Sequence, residues 1–379
     1  MTQILKKKVP FRTKSLSGLT IILFAGLLFV AAIPVWGQTI TEFEAPGSGT
    51  AKTQGTQTGD INKGETMVGA YADSSGVNHG FQRTVSGAFT TIDVTGAGTF
   101  MGQGTIAASI NTGGTINGHY FDSSGVSHGF VRSTKGTITK FSVKGAGSSS
   151  GQGTYVGLIN TTGTIAGRYV DSAGVFHGYS RSSTGAITTF DAPGAGTGIN
   201  QGTIAGGING SGTISGYYID AGGVLHGFQR TSAGTITTFD APGAGTAKGQ
   251  GTFAGGINTS GTCTGYYIDG GGVYHGYQRT SAGKFTTFNA PGAGTGNAQG
   301  TTGVEINDTG TISGTYADSG TVFHGFSRSS AGKFSTIDAP GAGTGFAEGT
   351  LAGGINSAGD ISGYYLDSAG VFHGYLRTP

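Results

Sequence analysis

The sequence predicts an all-β protein: a seven-bladed β-propeller of four-stranded antiparallel blades, closed by an N-terminal strand that completes the last blade. Three observations predict it. The triplet His-Gly-Phe/Tyr begins at His79, His128, His177, His226, His275, His324 and His373, always 49 residues apart and without insertion. Each period holds four short β-rich runs, and four strands in roughly 40 to 50 residues is the size of a propeller blade. The ends of the repeated region also complement one another. Thr39-Ile40-Thr41-Glu42-Phe43-Glu44-Ala45-Pro46 reads as a fourth strand, whereas the chain stops at Pro379 after a third. Joining the two leaves no unpaired ring edge.

The first 37 residues stand apart from the repeats. Lys6, Lys7, Lys8, Arg12 and Lys14 precede an apolar run from Leu16 to Val35, which ends beside Gly37. This is the pattern of a secretory signal, with cleavage expected near Gly37–Gln38. An uncleaved anchor is the rival reading, since about 18 apolar residues are just enough to span a bilayer. The expected domains are therefore a signal over 1–37 and a repeat domain over 38–379, secreted, extracellular or periplasmic and free of the membrane after cleavage.

Five of the 21 basic residues and none of the 19 acidic ones lie in the signal, so 16 basic face 19 acidic residues in 38–379, a net charge of −3. Nucleic acid as a partner thereby loses its electrostatic footing. Gly accounts for 78 residues, a number compatible with disorder, but 15 Tyr and 22 Phe recur at fixed spacing among Thr, Ile and Val. Disordered chains lack that pattern. The single cysteine, Cys263, occupies the register of Ile214 and reads as a small buried hydrophobe, so no disulfide framework exists.

One unit, residues 202–245, shows the four strands in order. They are Gly-Thr-Ile-Ala-Gly-Gly-Ile-Asn, Gly-Thr-Ile-Ser-Gly-Tyr-Tyr-Ile-Asp, Gly-Val-Leu-His-Gly-Phe-Gln-Arg and Gly-Thr-Ile-Thr-Thr-Phe-Asp-Ala-Pro. Each is rich in β-formers and bounded by turn residues, as in an antiparallel meander. The first is richest in Gly and Ala, as strands crowded around a narrow axis require.

The string Ile-Asn-x-x-Gly-x-Ile-x-Gly-x-Tyr followed by His-Gly-Phe resembles the bacterial extracellular HAF repeat family, named for its His-Ala-Phe triplet. The resemblance spans essentially the whole repeat region. Gly replaces Ala in the triplet, as at Gly227, and the Asp-Ala-Pro-Gly-Ala-Gly-Thr tail is this chain's own. The resemblance implies an exported, propeller-like repeat protein and carries no catalytic residue across.

Four sets of residues invite a chemical reading. An Asp and an Arg flank every triplet, as in Asp73, His79 and Arg83 or Asp220, His226 and Arg230. Equivalent positions on neighbouring blades should lie roughly 10 Å or more apart, too far for one metal ion to gather several. The expectation is a His–Asp–Arg network that satisfies polar groups within each blade. Gln54, Gln103, Gln152, Gln201, Gln250, Gln299 and Glu348 form a second ring, each before a Gly-Thr that starts an innermost strand. They either cap the loops that join fourth to first strands or present a polar binding surface at one channel mouth, with the opposite face inert. Asp60 and Glu305 share one register on the innermost strands of blades one and six, where a paired-carboxylate hydrolase site is conceivable. Tyr217, Tyr266 and Tyr364 occupy a varied second-strand register that reads as exposed.

No phosphate-cradling loop, nucleophile elbow or metal motif accompanies these residues, and neither a cofactor nor a metal is expected. The expected function is a non-enzymatic extracellular binding or scaffold module, monomeric, recognising a glycan or another surface protein. The second reading is a propeller-type hydrolase or lyase acting on polysaccharides or lactones.

Overall fold

A computed structural model describes residues 38–379, and the signal expected over 1–37 lies outside the described residues. The described chain contains 28 strands and no helix. Innermost strands begin at Gly55, Gly104, Gly153, Gly202, Gly251, Gly300 and Gly349, and each is followed by antiparallel second and third strands. In the fourth repeat these are Gly202–Ile208, Ile214–Ile219 and Leu225–Arg230, with Ile236–Phe239 as the fourth. Consecutive innermost strands touch all the way round, including that of the seventh repeat with that of the first. The result is a closed, propeller-like ring of repeats.

Closure follows the expected exchange of ends. The N-terminal strand Thr39–Phe43 pairs antiparallel with Phe372–Thr378, the third strand of the last repeat, from Thr39 opposite Thr378 to Phe43 opposite Gly374. It supplies the fourth strand that the C-terminus lacks.

Two glycines of each repeat are fixed by sterics. Gly202 opens its innermost strand at φ +113°, bridging to Phe176 of the preceding repeat, and a Cβ there would lie 2.1 Å from the Phe176 carbonyl oxygen. L-residues rarely adopt that backbone, and the carbonyl has no room to retreat. Gly227, the middle of the triplet, lies under the Phe239 ring of its own fourth strand, 2.3 Å from where a Cβ would sit. In the five repeats that carry this ring its packing excludes Ala from the triplet; in the first and sixth, where Ile92 and Ile337 stand in its place, a Cβ on Gly80 or Gly325 would lie 3.0 or 3.2 Å from the Ile carbonyl oxygen.

The third triplet residue is the deepest part of the core. Phe81, Phe130, Tyr179, Phe228, Tyr277, Phe326 and Tyr375 are at most 1% exposed. Around Phe228, the core draws Ala205, Ile208, Ile214 and Tyr218 from one repeat and Ala166 and Ala192 from the repeat before. The apolar layers thus lie between repeats, so no repeat buries its faces alone. Cys263 is fully buried in such a layer, in place of Ile214, and burial pushes its thiol up to about 12.

Candidate binding site

The His of each triplet stands in a column. In the fourth repeat, Asp220 follows the second strand, and its Oδ1 accepts the Val224 N–H at 2.8 Å, closing the turn. Its Oδ2 lies 3.5 Å from His226 Nε2, and His226 Nδ1 lies 2.9 Å from Asp240 Oδ1. The imidazole stacks on Tyr218 at 4.8 Å. The first repeat repeats this with Asp73, His79 and Asp93, and Tyr71 beneath the ring. Burial opposes the charged form of Asp73, but the N–H groups of Val77 and Ser75 together with His79 outweigh it and hold the carboxyl below its usual range. Ser142, Asn289 and Glu44 replace the second Asp beside His128, His275 and His373.

Arg is not a member of this network. Arg83 and Arg230 end the third strand, whereas His79 and His226 lie near its start. Along a strand each residue advances about 3.3 Å, which puts the guanidinium well beyond reach of the Asp–His pair. It stacks instead on the fourth-strand Phe of the preceding repeat: Arg83 over Phe43 at 4.4 Å and Arg230 over Phe190 at 4.6 Å. Where that Phe is replaced by Ile92 or Ile337, the matching Arg132 and Arg377 hydrogen-bond to Gln82 and Gln38. The expected triad is therefore an Asp–His–Asp column at one end of the strand and an inter-repeat cation–π contact at the other.

The Gln ring braces loops. Gln201 Oε1 accepts the Gly198 N–H at 2.9 Å and Gln201 Nε2 donates to the Ala221 carbonyl at 3.0 Å. Gln54, Gln103, Gln152, Gln250 and Gln299 make the same two bonds, while Glu348 keeps the first alone. Both amide atoms are thus committed to backbone. The varied loop tips on this face do carry exposed apolar side chains: Phe100, Met101, Ile199 and Phe346 are each at least 69% exposed. The adjoining Thr203 hydroxyl, fully buried, accepts the Ala192 N–H at 2.9 Å and ties the fourth strand to the next repeat. The Gly-Thr pair recurring after every Gln was the sequence signal for that bond.

The opposite face is not featureless. Asn209 Nδ2 donates to the Asn258 carbonyl at 3.0 Å, and the same link runs from Asn62 to Asn111, Asn160 to Asn209, and so on until Asn356 returns to Asn62. This closed hydrogen-bonded ring surrounds an axial basin of about 420 Å³. Two polar clefts of about 290 and 350 Å³ lie between repeats on the same face. The second is lined by Ser211, Thr213, Thr231, Ser260, Ser281 and Arg279; the first presents residues 49 positions earlier, among them Thr162, Thr164, Ser211, Ser232 and Arg230.

Asp60 and Glu305 do share a register, directly after the bulge in their innermost strands. Gly354 lies next to Asp60, since a Cβ on it would be 2.7 Å from Asp60 Oδ1. Each carboxylate reaches the next repeat: Asp60 Oδ2 accepts from Ser109 Oγ at 2.6 Å and the Ile110 N–H at 3.0 Å, and Glu305 Oε2 from the Ile355 N–H at 3.3 Å. Burial raises both, and the charge of Asp60 adds to the push that takes Glu305 up to about 8. Tyr217, Tyr266 and Tyr364 are half-buried, not exposed: they pair with Ile204, Phe253 and Leu351 of their own innermost strands, and Tyr217 also packs on Phe253 of the next repeat.

No protein-family model matches this chain, and no curated protein sequence matches it. Among solved structures it is similar to the BP39L lectin from Burkholderia pseudomallei, at 11% identity and a TM-score of 0.56, over 85% of this chain and 96% of that one. Weaker likenesses are to the Aleuria aurantia lectin in complex with Fucα1-6GlcNAc (13% identity, TM-score 0.43, 74% and 94% covered) and to TolB from Acinetobacter baumannii (12%, 0.42, 90% and 80%). At such identities the likeness is one of fold: an all-β, propeller-like ring.

Proposed function

We propose that the chain is an exported seven-bladed β-propeller of HAF-repeat type, acting as a multivalent, non-enzymatic glycan-binding module outside the cell. The observation that carries this reading is the pair of equivalent clefts between blades. Their walls carry Ser and Thr side chains from the turns between strands together with one Arg from the end of a third strand. Hydroxyl-rich walls match the alternating donors and acceptors of a saccharide, and repetition at 49-residue spacing suits avidity for a polymer displaying many copies of one epitope. A lectin of the same fold supports the class and says nothing of the sugar.

The test is a glycan array on the secreted protein, followed by calorimetry on whichever sugar binds. Binding with more than one equivalent per chain, weakened by Ser281→Tyr in the cleft and insensitive to Gln250→Ala on the other face, is the expected result. Binding lost only in Gln250→Ala, with both variants folded, would move the site to the loop face. A stoichiometry of one would end the multivalent reading.

A further inference from the structure

The ring is least symmetric in its lumen. A cavity of about 520 Å³ is bounded by the innermost strands of repeats three to six, where a Cβ on Gly206 would meet nothing within 4 Å. On one side Tyr217 packs on Phe253 at 4.4 Å, and Phe253 lies parallel to Tyr266 at 4.6 Å and 10°. Arg168 lines the same cavity with its guanidinium over Tyr155 at 4.8 Å.

Position sets Arg168 apart: the third-strand Arg83, Arg181, Arg230, Arg279 and Arg328 also leave a buried Nε without an acceptor, but Arg168 borders this lumen cavity. Among the described residues, Arg168 has neither a hydrogen-bond partner nor an ion-pair partner; its Nε is buried without one. The Tyr217 and Tyr266 hydroxyls likewise have no partner among the described residues, whereas Tyr277 and Tyr375 donate theirs to backbone carbonyls. An uncompensated guanidinium in a partly apolar wall is costly unless an anion meets it. The carboxyl in the wall, Glu305, is pushed up by burial and by Asp60, so at neutral pH it offers a donor and little competing charge.

We infer that this lumen cavity is a second binding site, distinct from the inter-blade clefts, for a small six-membered-ring carboxylate: the ring packs against the Tyr217–Phe253–Tyr266 stack, the carboxylate meets Arg168, and the tyrosine hydroxyls bind the ring's polar edge. Aromatic faces take the C–H face of a pyranose and the face of an arene alike, so a uronic acid and an aromatic acid share the required chemistry. The volume admits a ligand of one or two rings.

Glucuronate and benzoate, each beside its neutral counterpart glucose or benzyl alcohol, are the probes, measured by calorimetry and ligand-observed NMR on the full chain. At least one carboxylate should bind, and which one does identifies the source. Its neutral counterpart should bind at least about tenfold more weakly, and Arg168→Gln should remove that preference while leaving the unfolding midpoint close to wild type. Arg168→Lys should keep part of it, and Ser281→Tyr should leave it unchanged, which separates this site from the clefts. Failure of both carboxylates at millimolar concentration overturns the inference. So does carboxylate binding that survives Arg168→Gln.

Discussion

The Asn ring offers the sharpest energetic test, because one side chain holds both a turn and a link between repeats. Asn209 is 5% exposed. Its Oδ1 accepts from the Ser211 N–H, the Ser211 hydroxyl and the Thr213 N–H at 3.1, 2.8 and 3.0 Å, and its Nδ2 donates to the Asn258 carbonyl at 3.0 Å. Asn209→Ala removes four hydrogen bonds. At about 1 kcal/mol each, less what water recovers at the half-buried turn, the expected loss is about 3 kcal/mol. Asn209→Asp keeps an oxygen that can accept the same three hydrogen bonds, removes the donor and turns a carboxylate toward the Asn258 carbonyl, for an expected loss of about 1–3 kcal/mol at neutral pH. Urea unfolding with an unchanged m-value measures both. An Asp variant as stable as wild type would show that the ring of links contributes nothing, and an Ala variant within about 1 kcal/mol of wild type would refute the turn role as well.

Deleting 38–43 removes five paired positions and the Phe43 ring on which Arg83 lies; the expected loss is about 5 kcal/mol or more, with concentration-dependent aggregation at the opened edge, and a monomer of unchanged melting temperature would contradict strand exchange. Stability should fall at both ends of the pH scale. Asp73, Asp122, Asp171, Asp220, Asp269, Asp318 and Asp367 are all lowered in the fold, so their contribution is present above the ordinary value of 3.8 and is lost as pH falls through the folded values. Asp60 and Glu305 have the opposite sign: the folded state binds the proton more tightly, so stability is lost as pH rises from the usual 4.5 of Glu305 toward about 8. Unfolding midpoints across pH 3–9 should show a maximum in the weakly acid range, flattened on its alkaline side by Glu305→Gln; a wild-type alkaline slope equal to that of the variant would remove Glu305 as the cause. Cys263 should resist thiol reagents in the native state and react fully in denaturant, which mass spectrometry reads directly.

Most of the fold was legible because its determinants are periodic. Period-49 glycines, the triplet aromatics and the complementary ends fix strand number, core and closure, and each corresponds to a contact between one repeat and the next. The site was less legible. Spacing suggested that Arg230 joins His226 and Asp220, yet four residues along a strand separate groups that seem adjacent in sequence, while Asp240, 14 residues away, returns through the hairpin to reach His226. Loop capping by Gln201 was one of the two readings its place before Gly-Thr offered, and Gly198 and Ala221 consume its amide; nothing local to Asn209, by contrast, reveals that its partner is the next Asn, 49 residues on. Partners across repeats are invisible to a pattern read along one.

That distinction also sorts structural groups from candidate ligand contacts. The third-strand Arg recurs in all seven repeats, and its surroundings account for it: a Phe ring receives it beside Phe43, Phe141, Phe190, Phe239 and Phe288. Where Ile92 and Ile337 remove the ring, Arg132 and Arg377 find a Gln oxygen instead. A group that recurs and always finds a partner is a component of the interface between repeats. Arg168 fails the first test, since its register holds Ala70, His119, Tyr217, Tyr266, Thr315 and Tyr364 elsewhere; its guanidinium lies over Tyr155 and Phe176 but meets no carboxylate or hydrogen-bond acceptor among the described residues. A charge placed once in a cavity wall, without a counter-charge beside it, calls for a partner that the chain itself does not supply.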